Sequence, residues 1–200
     1  LCVNGIVDPE RVITNAGSKP NDALILTKPI GSGVLFNAVR SGKLPFKILE
    51  QDVLPVLASL NDIAITTALK FDLHACTDIT GFGILGHLLE ISLGCNAGVV
   101  VDFNALPFYP YALEMYNKGE TTGSNKGNRR MVNAHSFDLQ TSLSKAEEEL
   151  LFDPQTSGGL LLSVPDSQCV DLILALKTAG IAVAKKIGYV TSEPAGITII

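Results

Sequence analysis

The 200-residue chain has no tryptophan, only two methionines, and four cysteines that form no C-x-x-C pair. Scattered thiols argue against a disulfide framework or a zinc ribbon and fit reduced cysteines in a cytoplasmic protein. No apolar run reaches the roughly 18 residues of a membrane span, and the first residues lack a signal peptide's basic start and apolar stretch. Fifteen Lys and Arg stand against twenty Asp and Glu, for a net charge of −5, and the basic residues form no extended cluster. Neither a nucleic acid nor a membrane is expected as a partner. A nucleotide is compatible with the acidic balance, because such sites use backbone amides, a few basic residues and metal ions. The chain also lacks an initiator Met, so it reads as a fragment of a longer protein.

What is present is apolar: 46% of residues are hydrophobic and 18% charged, with a mean hydropathy of +0.32. Disorder is set aside on that balance, and the length suits one sizeable core with a small additional piece. The opening is strand-like over residues 1–7 and then breaks into a turn-rich connection containing Pro9, Gly17 and Pro20. A domain boundary is placed there, with residues 1–21 ending one domain and its linker and residues 22–200 forming the next. Short apolar strands then alternate with helices, among them "DALILTK", "GSGVLFNAVRSGK", a long stretch kinked near Pro55, "LHACT" and "GFGILGHLLEISLG". Residues 119–137 are polar and without periodicity, so they are expected to be a long loop and the candidate lid.

Three glycine-bearing turns beside strands are candidate sites. In "CTDITGFG", Asp78 ends a strand, Thr80 is a candidate N-cap, and Gly81 and Gly83 allow close approach of a phosphate or a neighbouring backbone. Asp78 is then either a ligand for a phosphate-bound Mg²⁺ or, with Thr80, merely a helix cap. "LTKPIGSG" puts Lys28 after a strand, with Gly31 and Gly33 at a helix start. It reads either as an anion-binding turn or as a plain connection with a solvated lysine. "FDPQTSGGLLLSV" places Asp153, Gln155, Thr156, Ser157, Gly158 and Gly159 in another tight turn, explained equally by turn chemistry. His74, Cys76 and Asp78 share one face of a strand and imitate a metal triad, but no second ligand pair follows. His87 reads as a structural mid-helix residue, and no Ser-His-Asp arrangement or Walker-type loop occurs.

Together "LTKPIGSGVL", "TDITGFGILGHLLE" and "DPQTSGGLLLSV", in this order and spacing, resemble the C-terminal part of the selenophosphate synthetase family, the selenide, water dikinases. The resemblance covers essentially the whole chain. It implies an α+β domain with a mixed sheet flanked by helices, of the aminoimidazole ribonucleotide synthetase-like class, behind an N-terminal ATP-binding domain that dimerises. It also implies conversion of ATP, selenide and water into selenophosphate, AMP and orthophosphate with Mg²⁺, and it puts one metal-binding carboxylate on Asp78. Lys28, Gly31, Gly33, Thr80, Gly81, Thr156, Ser157 and Gly158 are the positions expected to shape the nucleotide cleft. The family's nucleophile and catalytic lysine fall upstream of Leu1 and Cys2 does not match them, so the fragment alone is expected to be inactive. Other ATP users of the same class, or a non-catalytic binding module, are the competing expectations.

Overall fold

A computed structural model describes residues 5–200. The expected opening strand lies partly outside them, and residues 5–8 form no strand. From there β1 (Asp22–Leu26) leads to α1 (Ser32–Arg40). A broken helical run follows: α2 (Phe46–Ile48), a π-helical turn (Leu49–Val53), α3 (Leu54–Ala58) and α4 (Asp62–Ala68). The break falls beside Pro55, which has no N–H to continue a helical ladder. Then come β2 (Ala75–Asp78), α5 (Gly83–Cys95), β3 (Gly98–Val101), α6 (Ala112–Asn117), α7 (Asn125–Asn133) and β4 (Phe137–Leu139). The chain ends with α8 (Lys145–Leu151), β5 (Leu160–Pro165), α9 (Asp166–Thr178), β6 (Lys185–Val190) and β7 (Gly196–Ile199).

The strands form one mixed sheet of order β2-β5-β1-β6-β3-β7-β4. Pairing is antiparallel except at β3–β7 and β4–β7, which run parallel. All five residues of β1 are buried, as expected where helices cover both faces of a central strand. Alternation divides them. Leu24 and Leu26 join Leu85 and Leu88 of α5 and Val132 of α7 on one face, whereas Ala23 and Ile25 meet Ala64 and Ala68 of α4 and Leu172 of α9 on the other. A third apolar group, including Val34, Leu35, Leu49, Met115 and Leu150, ties α1, the broken run, α6 and α8 together. Each large side chain buried this way contributes about 1.5–3 kcal/mol before entropy is counted.

The expected loop over 119–137 is ordered instead. Glu120 is buried, with Lys43 at 2.7 Å, α7 occupies its middle, and β4 begins at Phe137. Helix α7 escapes sequence periodicity because asparagines, not an apolar stripe, anchor it: Asn125 and Asn128 are buried along with Val132. The segment is thus not one structureless loop. No described helix is long and apolar enough to cross a membrane.

Candidate functional site

The three glycine turns that local spacing left apart meet at one end of the sheet. Adjacent strands do this work: β2 pairs with β5 in a register that puts Asp78 opposite Leu160, and β5 pairs with β1. The turns after β1 and β2 and the turn before β5 therefore emerge side by side. Cross-links hold them there. Gln155 N donates to Thr80 O at 3.0 Å, Asn61 Nδ2 to Gly158 O at 2.9 Å, and Lys28 Nζ to Ser157 O at 3.1 Å. Gly158 is required by crowding, since a Cβ there would lie 2.2 Å from Ile79 O.

The turn after β1 does not present its amides to a ligand. Asp153 accepts from Gly33 N at 2.9 Å and Val34 N at 2.8 Å, and Gln155 Oε1 accepts from Gly31 N, Ser32 N and Ser32 Oγ at 3.0–3.1 Å. The anion expected at the start of α1 is thus the protein's own carboxylate, which satisfies the first-turn donors. Tyr116 donates to Asp153 at 2.6 Å and joins it to buried Asn125. Burial pushes Asp153 up to about 6 against the pull of its donors. Lys28, expected as a solvated lysine on the plainer reading, is buried instead, with Ser59 O at 2.8 Å as its second partner. Desolvation lowers its pKa.

The turn after β2 differs. Asp78 is exposed at the end of its strand, as are Gly81, Phe82, Thr156 and Ser157 nearby in the fold. Thr80 is not the helix cap, because α5 begins at Gly83, after Phe82, and no capping side chain covers that start. Instead Thr80 N donates to His87 Nε2 at 3.0 Å. That bond leaves the ring proton on Nδ1, which faces Glu90 Oε2 at 3.0 Å. His87 is therefore structural in a specific sense: one turn into α5, it reaches back and fixes the turn that follows Asp78. Asn128 of α7 completes the support, donating to Gly81 O and Phe152 O at 2.9 and 3.0 Å. Asn61, Tyr116 and Asn128 carried no sequence signal of this role, since each acts across the fold.

The strand triad does not converge. His74 Nδ1 turns to Asp22 at 2.9 Å and its Nε2 lies 3.0 Å from Lys19 Nζ, while burial, and secondarily the charge of Asp78, pushes the Cys76 thiol up to about 11. Among the described residues no group of three or more His, Cys, Asp or Glu side chains is placed to hold a metal. Magnesium takes hard oxygen ligands and retains several waters, and at the turn after β2 the exposed carboxylate is that of Asp78. The donor set fits one contribution to a site, not a whole one.

Comparison with known proteins follows the same lines. The chain is 40% identical over 194 residues to the selenide, water dikinase of Pelobacter propionicus, covering 97% of this chain and 55% of that protein. It is 38% identical over 193 residues to that of Clostridioides difficile, covering 96% and 55%. The chain thus spans about half the length of the curated relatives it matches. Among solved structures, a hydrogenase maturation protein HypE aligns with a TM-score of 0.64 at 19% identity, covering 97% of this chain and 53% of that one. Thiamine-monophosphate kinase from Stenotrophomonas maltophilia K279a aligns with a TM-score of 0.64 at 15% identity, covering 96% and 54%. These two share the fold. Residues 19–200 match the model of the AIR synthase related protein, C-terminal domain, and the chain belongs to that family.

Proposed function

We propose that this chain is the C-terminal half of a selenide, water dikinase, which makes selenophosphate, AMP and orthophosphate from ATP, selenide and water. The observation that carries this reading is the convergence of three glycine turns around the exposed carboxylate of Asp78. The relatives that bear the name at up to 40% identity support it, and a HypE structure of similar fold is described in complex with ATP.

In this reading Asp78 supplies one oxygen ligand to Mg²⁺, which when bound neutralises charge on the phosphates. Thr80 and Gly81 lie on one side of Asp78 in the chain, and Thr156, Ser157 and Gly158 form the neighbouring turn, where the exposed residues Thr156 and Ser157 offer hydroxyls to phosphate oxygens while the Thr156 amide is held by Ser32 Oγ at 3.1 Å. Lys28 backs that turn through the Ser157 carbonyl. Gly31 and Gly33 act indirectly, because their amides hold Gln155 and Asp153 and so fix the 153–159 segment. The catalytic nucleophile and the remaining metal ligands belong to an N-terminal domain, the whole enzyme is a cytoplasmic homodimer, and the fragment by itself does not turn over ATP.

Phosphorus NMR of the complete enzyme with ATP, Mg²⁺ and selenide tests this. The expected result is selenophosphate and AMP formed only with selenide, and a rate about 100-fold or more lower in Asp78→Asn, the scale on which loss of a charge-stabilising group acts. ADP as the nucleotide product, or an Asp78→Asn enzyme as fast as wild type, would overturn it.

A further inference from the structure

Lys28 carries a charge that its surroundings do not balance. Its side chain is 5% exposed, both its partners are neutral backbone carbonyls, and among the described residues no carboxylate pairs with it. An ammonium has three donors, so one N–H remains after Ser59 and Ser157 are served. Buried charges are ordinarily paired, because an uncompensated one carries the full cost of leaving water. The side chain also lines an open cleft of about 440 Å³, between the connection from α3 to α4 and the segment after α9. Apolar residues supply much of the wall: Leu60 and Ile63 on one side, Ile181 and Val183 on the other. Thr27, Ser59 and Asn61 are the other polar residues of the lining, and a cleft of this size, mostly apolar with a few fixed polar groups, has the build of a small-molecule site.

We propose that this cleft binds a small amphiphilic anion, its phosphate or carboxylate on the Lys28 ammonium and a ring-sized apolar body among Leu60, Ile63, Ile181 and Val183. A bare inorganic ion would answer the charge and leave those walls wet. A neutral apolar molecule would dry the walls and leave the charge unpaired. Only the combination satisfies both. The proposal goes beyond the dikinase reading and does not depend on Asp78.

Saturation-transfer NMR on the complete protein without ATP, with phenyl phosphate and benzoate as probes and with phenol and inorganic phosphate as competitors against them, tests it. Phenyl phosphate or benzoate is expected to bind at least about tenfold more tightly than phenol or inorganic phosphate, the scale of one charge-assisted hydrogen bond. The tighter of the two probes identifies the natural headgroup as phosphate or carboxylate. Lys28→Met and Ile63→Glu are each expected to weaken binding at least about tenfold. Ile63 is 49% exposed, so Ile63→Glu leaves the core intact and decides alone should Lys28→Met fail to fold. Three results would overturn the site: no binding of either probe, as when an upstream carboxylate already pairs with Lys28; phenol or phosphate binding as tightly as the probes; or binding unchanged in Ile63→Glu. The readout uses no ATP, so failure here leaves the Asp78 experiment standing, and the reverse holds as well.

Discussion

The starts of α1 and α5 look alike in the sequence: a strand, a polar residue, two glycines one residue apart, then an apolar helix. In the fold they are opposites. The start of α1 is closed, its amides taken by Asp153 and Gln155, residues more than a hundred positions away. The start of α5 is bare of any capping side chain and stands next to exposed Asp78. A helix N-terminus attracts an anion in either case. Whether the protein itself supplies that anion is settled by what the tertiary fold brings across, and of the two starts only that of α5 is left open.

That contrast is most directly broken at Asp153. Removing the carboxylate in Asp153→Ala strands two amides and the Tyr116 hydroxyl in the interior, and about 3 kcal/mol of stability should go with it. Urea denaturation reads the loss, and a cost below about 1 kcal/mol would show that the closed start does not need its carboxylate. A smaller effect, about 2 kcal/mol, is expected for Gly83→Ala, where φ is +73° and a Cβ would lie 2.9 Å from Asp153 O. Gly81→Ala is the control. A Cβ at Gly81 meets nothing within 4 Å, so its melting curve should stay within about 0.5 kcal/mol of wild type.

The same carboxyl also sets a pH dependence. Asp153 titrates near 6 when folded and near 3.9 when unfolded, so between those values the folded chain holds the extra proton. The contribution of this group is fully present below about pH 4 and is lost as pH rises through about 6. Asp153→Asn, which cannot titrate, should flatten that segment of the stability profile relative to wild type. Parallel profiles for the two proteins would remove the titration from Asp153.

Much of the fold was legible in the sequence because its signals are local and apolar. The buried run "DALIL" marks a central strand, and helices α5 and α9 announce themselves by length and hydrophobicity. Where polar residues carry the structure, the signal vanishes. Helix α7 is held by Asn125 and Asn128, so its segment reads as a loop. The cap read at Thr80 failed for a related reason: its amide is claimed by His87, seven residues on, and the helix starts two residues late. Motif spacing singled out Asp78 and the 153–159 turn as candidates. It could not show that Lys28 is buried, nor that Asp153 fills the neighbouring helix start, because both depend on contacts more than a hundred residues apart in the chain.

The strand order also bears on how the molecule is made. The central strand, residues 22–26, has both of its neighbours in the last fifth of the chain, at residues 160–165 and 185–190. As the polypeptide leaves the ribosome, "DALIL" waits, unpaired on either edge, for the more than one hundred residues that separate it from β5 and β6. Such a segment is an exposed, adhesive edge for the whole of that interval, until β5 and β6 arrive to cover it.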